Sequence, residues 1–145
     1  MTYRNILVAV DTTDEADEVI RAALELADEK ASTLSVVTVI PPMAGFYANL
    51  FSIMEENSGT GIDSQALEHT TKWLSDLAKR HGIDDSGTNV VVGKPAGEIR
   101  QLAEKISADL IVMGAHGRHG LGLMLGSSAY AVLHGAPCNV LTVKV

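Results

Sequence analysis

The chain has few of the residues that mark several large classes of protein. Its single cysteine, Cys138, cannot form an internal disulfide, which fits a reducing cytoplasm. The longest cluster of basic residues is the pair Lys79 and Arg80, within a net charge of −7. Affinity for nucleic acid comes mainly from clustered lysines and arginines, so no nucleic-acid partner is expected.

The chain also lacks a long apolar run. No stretch approaches the ~18 residues needed to cross a bilayer, so no membrane contact is expected. The apolar stretch before Asp11 has only five residues, which is too short for a signal peptide. These features predict a cytoplasmic protein, and residues 1–145 are long enough for a single domain with one core.

Short aliphatic segments alternate along the chain with segments of helical periodicity. The predicted strands span residues 5–10, 34–40, 89–92, 110–113 and 140–145. Their aliphatic residues lie on both alternating faces, which is typical of strands buried in a parallel sheet. Right-handed crossovers would put helices on both faces. The pattern predicts a single-domain α/β fold with a five-stranded, mostly parallel sheet.

Three stretches of helical spacing predict helix faces that point into the core. Thr12 and Glu15 form a capping-box pattern, which predicts that the first helix opens at Thr12. Pro95 suits the first turn of the helix after the third strand. The predicted core-facing residues are Ala16, Val19, Ile20, Ala23, Leu24 and Ala27; Leu67, Thr70, Thr71, Leu74, Leu77 and Ala78; and Ile99, Leu102, Ala103 and Ile106.

The connection from Pro41 to Ile62 is far longer than usual at about 22 residues, which favours a functional or partly ordered segment. It contains both phenylalanines of the chain. The pattern predicts a short amphipathic helix from Met43 to Met54, followed by a mobile tail from Ser58 to Gly61. Two interpretations remain open: a surface excursion packed onto the domain, or a lid or subunit contact.

The glycine-rich segment at residues 114–128, GAHGRHGLGLMLGSS, carries the strongest functional signal. It follows the fourth predicted strand and leads into a helix. Glycines allow a backbone to approach an anion closely, and the free amides of a helix N-terminus attract it, so the segment suits a phosphate. Ser127 and Ser128 would add hydroxyl donors. The alternative is a flexible loop with Ser127 as an ordinary N-cap.

Asp11 and Gly114 end the first and fourth predicted strands. Ligands of parallel sheets bind at the carboxyl ends of the strands, where the strand order reverses. If these two strands are neighbours, Asp11 and the glycine loop flank one crevice. The P-loop is excluded, because Gly126 is followed by Ser127 instead of lysine.

Four segments resemble the universal stress protein family: NILVAVD at 5–11, GKPAGEI at 93–99, ADLIVMGAHG at 108–117 and LGSSAYAVLHGAPCNVLTV at 125–143. The resemblance covers essentially the whole chain. It implies a Rossmann-like fold of the adenine nucleotide alpha hydrolase type, and a homodimer formed through the C-terminal strand. One branch of this family binds ATP through Gly, two residues, Gly, nine residues, then Gly followed by Ser or Thr.

The resemblance implies which residues of this chain would bind ATP. The matching positions are Asp11 at the ribose, Val39 and Met113 at the adenine, and Gly114, Gly117, Gly126, Ser127 and Ser128 at the phosphates. The loop departs from the pattern, because eight residues instead of nine separate Gly117 from Gly126. A magnesium ion, if present, would be held largely by the phosphates themselves, and no metal site of the protein is predicted.

Three other residues are interpreted as structural. We expect Asp109 to serve as a cap or turn residue, Cys138 to be a buried, inert thiol and Trp73 to be a packing anchor. His116 and His119 invite a metal interpretation, but no third ligand lies near them in the sequence, so they are expected to face solvent or phosphate. The Gly126 amide is expected to approach phosphate oxygens, and therefore Gly126 should tolerate no side chain.

These expectations combine into a cytoplasmic, ATP-binding regulator of the stress response that acts as a homodimer. Its ligand state would be sensed by an unidentified protein partner. No catalytic residue is predicted, because the chain has neither a nucleophile-elbow pattern nor an obvious base beside the loop. Two alternatives stay open: an interaction module with a vestigial loop, and a slow ATPase or autophosphorylating protein.

Overall fold

The computed structural model describes residues 2–40, 61–115 and 126–144. The strands are β1 (Asn5–Ala9), β2 (Thr33–Ile40), β3 (Thr88–Val92), β4 (Leu110–Gly114) and β5 (Asn139–Val143), and the helices are α1 (Ala16–Leu26), α2 (Gly61–Arg80), α3 (Pro95–Lys105) and α4 (Ser127–Gly135). All strand pairs are parallel, in the order β3-β2-β1-β4-β5. The predicted α/β fold is confirmed, and each strand boundary lies within two residues of its expected position.

The sheet is buried on both faces, as the aliphatic strands predicted. Along β1, Ile6 and Val8 face the core beneath α1 and α2, whereas Leu7 faces the core beneath α3 and α4. These three side chains are fully buried. Since successive side chains of a strand point to opposite faces, an unbroken aliphatic run is the only sequence that can fill two cores at once.

The first helix begins later than predicted. α1 starts at Ala16 with Glu15 as its N-cap, and that cap makes no side-chain hydrogen bond. After β1 the backbone instead forms a turn, in which the Thr13 amide donates to the carbonyl oxygen of Asp11 and the Ala16 amide donates to that of Thr13. The predicted helix start at Thr12 was therefore wrong, because this turn uses the residues that would have formed the first helical turn.

The predicted core faces hold only in part. Leu24 and Leu67 are 38% and 41% exposed, and Thr71 is also exposed, contrary to prediction. Trp73 is partly buried against the core beneath α1 and α2, as expected of a packing anchor. The residues confirmed as buried are Ala16, Val19, Ile20, Ala23, Leu74, Leu77, Ala78, Ile99 and Ala103.

Gly61 is the first residue of α2, so the expected mobile tail does not extend that far. The amphipathic helix predicted from Met43 to Met54 lies outside the described residues. At its other end α2 stops at Arg80, and Gly82 follows with φ of +75°, a conformation that favours glycine over residues with a side chain.

Asp109 fastens the start of β4 to the start of β1. Its carboxylate accepts hydrogen bonds from the backbone amides of Arg4 at 2.8 Å and Asn5 at 3.0 Å. Its own amide donates to the carbonyl oxygen of Asn5. The predicted structural role of Asp109 is confirmed. Within the described part of the chain, no helix has the length and apolar character that a membrane span requires.

Candidate functional site

A crevice opens at the carboxyl ends of β1 and β4, where the strand order reverses. From β1 the chain passes to β2 and β3 on one side, whereas β4 and β5 lie on the other. Residues of both strand ends line the crevice, together with the first turns of α1, α3 and α4. They include Asp11, Thr13, Glu15, Val39, Pro95, Ile99, Met113, Gly114, Ser128 and Ala129. The condition on which the predicted crevice depended, that β1 and β4 be neighbours, is met.

Asp11 stands at the mouth of this crevice. β1 holds its pairing with β2 as far as Val10, whose amide donates to the carbonyl oxygen of Val37 at 2.9 Å. The chain then turns away into α1, and Asp11 is exposed. A carboxylate in this position can accept hydrogen bonds from a ligand's hydroxyl groups without the cost of being buried.

The end of β4 and the start of α4 are joined by backbone hydrogen bonds. The Gly126 amide donates to the carbonyl oxygen of Ala115 at 2.6 Å. This corrects our expectation for Gly126, whose amide points to the protein's own backbone. Gly126 is the N-cap of α4, with φ of −61° and ψ of 152°, a conformation open to residues with side chains.

Ser127 and Ser128 form the first turn of α4. Ser128 is partly buried and lines the crevice, as does Gly114 at the end of β4. Ser127 is exposed and is not among the lining residues. The first amides of a helix have no partners within it, so the N-terminus of α4 brings donor groups to this edge of the crevice.

Val39 and Met113 form part of an apolar wall. The Val37 carbonyl faces β1, and backbone groups of a parallel strand turn alternately to its two neighbours, so the N–H and C=O of Val39 also face β1. The register of β1 with β2 ends at the pair Ala9–Val37. Val39 therefore offers a donor and an acceptor beyond the end of β1, next to the crevice.

Sequence reasoning missed other lining residues, among them Thr13, Glu15, Pro95 and Ile99. Pro95 and Ile99 come from α3, which packs over β2. Nothing local in the sequence indicates this adjacency, because it depends on the strand order. Thr13 and Glu15 follow Asp11 closely, but the sequence predicted them inside the first helix, and only the late start of α1 places them in the turn beside the crevice.

Several predicted features lie outside the described residues. They are Gly117, the loop histidines His116 and His119, and nearly all of the segment from Pro41 to Ile62. Within the residues that the structure describes, no group of three or more His, Cys, Asp or Glu side chains could hold a metal ion.

Two polar features stand apart from the crevice. Cys138 is only partly buried, whereas full burial was predicted. The pKa of its thiol is raised, mainly by burial and also by the negative charge of nearby Asp109, and the thiol therefore stays protonated. His81 Nε2 lies 2.7 Å from Asp17 Oδ1, and Arg80 Nη2 lies 3.4 Å from Asp17 Oδ2. The hydrogen bond with His81 lowers the pKa of Asp17 despite the opposing effect of burial.

The chain is similar to known proteins over its whole length. A model of the universal stress protein family matches residues 2–144. Universal stress protein A homolog 1 of Coxiella burnetii is 39% identical over 144 residues, which cover 99% of this chain and 97% of that protein. Homolog 2 of the same organism is 31% identical, with coverage of 99% and 96%.

Solved structures extend this similarity to the fold. The protein MJ0577 matches with a TM-score of 0.78 and 25% identity, covering 100% of this chain and 98% of that one. A universal stress protein in complex with cAMP matches with a TM-score of 0.62 and 26% identity, covering 99% and 98%.

Proposed function

The chain belongs to the universal stress protein family, and so to the proteins of the stress response, and we propose that it binds ATP between the ends of β1 and β4. One observation carries the proposal: Asp11, Gly114 and Ser128, which are far apart in the sequence, line the same crevice. These are positions for which the family resemblance implies ribose and phosphate contacts. A similar universal stress protein has been solved in complex with cAMP, which is an adenine nucleotide, and this supports the proposal.

The adenine would lie against Val39 and Met113. An adenine presents a donor and an acceptor side by side along one edge, and the N–H and C=O groups of Val39 are complementary to that edge. The apolar side chains of Val39, Met113 and Ile99 would cover the ring faces. Recognition through backbone groups depends on the length of β2 and not on the side chain at position 39.

The ribose and phosphates would occupy the polar side of the crevice. Asp11 would accept hydrogen bonds from ribose hydroxyls. The phosphates would approach the first amides of α4 and the hydroxyl groups of Ser127 and Ser128, because a helix N-terminus favours negative charge. Gly114 and Gly117 would belong to the loop around the phosphates, and Gly126 would position α4. Magnesium would be held mainly by the phosphates.

We further propose that the protein acts as a cytoplasmic homodimer, paired through β5. This strand lies at one end of the sheet order, and its aliphatic residues are Val140, Leu141 and Val143. An edge strand has unpaired backbone groups, and antiparallel pairing with its own copy satisfies them under two-fold symmetry. A still unidentified protein partner would respond to the nucleotide-bound dimer.

The direct test is whether the purified protein carries an adenine nucleotide. Absorbance at the nucleotide maximum and mass spectrometry of the extracted ligand should identify ATP in roughly stoichiometric amounts, or ATP should be taken up on titration. Asp11→Ala protein, purified in parallel, is the matched control and should lose the ligand. Wild-type protein that neither carries ATP nor binds it at millimolar concentration would favour the interaction module.

Binding and hydrolysis are separated by a single-turnover assay. We propose a binding protein and not an enzyme, so pre-bound ATP should remain intact over the time of a regulatory cycle, with no phosphoserine formed. Release of ADP within that time, or label transferred to Ser127 or Ser128, would instead establish the slow ATPase or autophosphorylating protein.

The dimer is tested by Thr142→Pro. The carbonyl of Val143 accepts from Ala115 at the end of β4, so the backbone groups of Leu141 and Val143 face β4 and those of Thr142 face the open edge. Proline at position 142 removes a donor from that edge and should shift the protein toward monomer. Light scattering on wild-type protein at high micromolar concentration should show a dimer. A stable wild-type monomer would contradict the proposal.

A further inference from the structure

A second concave site lies at the amino ends of β2 and β3, at the opposite end of the sheet from the crevice. It is an open groove of about 660 Å³, a size typical of ligand sites. One wall consists of the end of α1 and the turn into β2, and the other consists of the segment between α2 and β3. We call this site, lined by residues within 24–35 and 81–87, the amino-end groove.

Part of the lining of the amino-end groove is apolar. Leu24, Ala27, Leu34 and Ile83 all contribute to it. Leu24 is 38% exposed, so a large aliphatic side chain remains partly in water inside a concave surface. An apolar group of a ligand that covers Leu24 would therefore be removed from water together with it.

The charged side chains of the lining are mostly of one sign. Asp28, Glu29 and Asp84 contribute exposed carboxylates, whereas no lysine or arginine of the described ranges lines the groove. Lys30 follows Glu29 in the sequence but is not a lining residue. Within the part of the chain that the structure describes, neither Glu29 nor Asp84 forms an ion pair. The groove is therefore complementary to a cation.

The end of α1 adds to this negative charge. A helix C-terminus carries a partial negative charge, which a basic residue in the last turn offsets. The last turn of α1 has no basic residue, and Asp28 and Glu29 follow it. α2 does have Lys79 and Arg80 in its last turn, but neither of them lines the groove. An approaching cation would relieve the repulsion at the end of α1.

Hydrogen-bonded turns hold both walls of the groove in place. After α1, the Asp28 amide donates to Ser32 Oγ at 2.9 Å, and the Ser32 amide donates to the carbonyl oxygen of Asp28 at 2.8 Å. Beyond α2, the Gly87 amide donates to the carbonyl oxygen of Asp84 at 2.9 Å. The carboxylates of Asp28 and Asp84 are thus carried by ordered backbone, which lowers the cost of ordering on binding.

We propose that the amino-end groove docks a basic, partly aliphatic segment of a partner protein. Lysine and arginine fit this lining, because their methylene stems lie along apolar surface while their charged ends reach carboxylates at the rim. Aliphatic side chains of the same segment would cover Leu24 and Ile83. The inference rests on the proposed function only in requiring a protein partner, and it does not require the ATP site.

Leu24→Ser tests the apolar contact, with Leu26→Ser as the matched control. The probe is a short synthetic peptide in which lysine alternates with leucine, titrated into the full-length protein. Leu26 is 43% exposed on the same helix but does not line the groove. Leu24→Ser should weaken peptide binding by about tenfold, because a buried leucine contact is lost. Leu26→Ser should change it by less than about twofold.

Glu29→Lys and Asp84→Lys test the charges, with Glu104→Lys as the control for net charge. Glu104 is an exposed carboxylate in α3, which packs on the opposite face of the sheet. Each groove variant should weaken peptide binding by about threefold or more and reduce its salt dependence, since an attractive charge is reversed. Glu104→Lys should change it by less than about twofold. Circular dichroism checks the folding of every variant.

The location of the bound peptide is measured by NMR, and amide shifts should concentrate in residues 24–35 and 81–87. Wild-type protein that does not bind the peptide at millimolar concentration would overturn the inference. Equal losses in Glu29→Lys and Glu104→Lys would also overturn it, since they would show attraction by net charge alone. If spermidine binds as tightly as the peptide, the groove takes a small cation and the protein segment is wrong. Asp11→Ala protein should still bind the peptide, which separates a failure of the ATP site from a failure of this inference.

Discussion

The backbone amide of Gly126 donates a hydrogen bond to the carbonyl oxygen of Ala115, and the two atoms are 2.6 Å apart. This bond fastens the N-terminus of α4 to the residue that follows β4. The Gly126 amide, which the glycine pattern alone would direct at a phosphate, is therefore already hydrogen-bonded within the protein. The amides that remain to receive an anion are those of the first turn, beginning at Ser127.

Gly126→Ser should therefore preserve both the fold and ATP binding. The φ and ψ angles of Gly126 are open to residues with a side chain, and serine is at least as good an N-cap as glycine. The ATP dissociation constant, measured by titration calorimetry, should change by less than about twofold. Ser128→Ala, which removes a hydroxyl that lines the crevice, should weaken binding by about 0.5–1.5 kcal/mol. If folded Gly126→Ser protein fails to bind ATP, this account is wrong and Gly126 contacts the phosphates directly.

Asp109→Ala should destabilise the protein without touching the crevice. It leaves the amides of Arg4 and Asn5 without their carboxylate acceptor, at a cost of about 1–3 kcal/mol in the free energy of unfolding. Urea unfolding measures this loss. The control is Asp84→Ala, since exposed Asp84 makes no side-chain cap bond and its loss should cost under about 0.5 kcal/mol. Equal midpoints for the two variants would contradict the role of Asp109.

Stability should depend on pH through Asp17. The hydrogen bond with His81 lowers the pKa of Asp17 from its ordinary value of 3.8, so the folded state favours the ionised carboxylate. The stabilisation is fully present above the unfolded pKa and is lost as pH falls through the folded pKa. Because the pair is partly exposed, it is worth at most about 1 kcal/mol.

The comparison of wild type with Asp17→Asn measures this contribution. The difference in unfolding free energy should be largest above about pH 5 and should shrink as the pH falls below the ordinary pKa. Glu18→Gln changes the neighbouring exposed carboxylate and serves as the control. A difference that is constant down to acid pH would show that Asp17 contributes only packing.

The fold could be predicted from local patterns because burial on both faces constrains every residue of a strand. Ile6, Leu7 and Val8 are all fully buried, so a polar residue at any of these positions would be buried as well. Helix faces could not be predicted as well: Leu24 and Leu67 match helical spacing, yet both are exposed, because which turns of a helix are covered depends on tertiary packing and not on spacing. The start of α1 was misplaced because a turn after β1 competes with the capping box at Thr12.

The candidate site was predictable only in part, because it depends on which strands and helices are neighbours. Asp11 and Gly114 were identified because both end strands, although their meeting depended on the strand order. Pro95 and Ile99 reach the crevice from α3, and no local pattern indicates which strands that helix crosses. The direction of the Gly126 amide depends on a carbonyl eleven residues earlier, which sequence spacing does not reveal.

The measurement that tests the central claim most directly is a calorimetric titration of ATP into wild-type, Asp11→Ala and Asp14→Ala proteins. Asp14 is an exposed carboxylate three residues away that does not line the crevice. Wild type and Asp14→Ala should bind ATP with similar, submillimolar affinity. Asp11→Ala should bind about 1–3 kcal/mol more weakly, because a charge-assisted bond to a ribose hydroxyl is lost. Wild-type affinity weaker than millimolar, or equal affinities for all three proteins, would contradict an ATP site at the ends of β1 and β4.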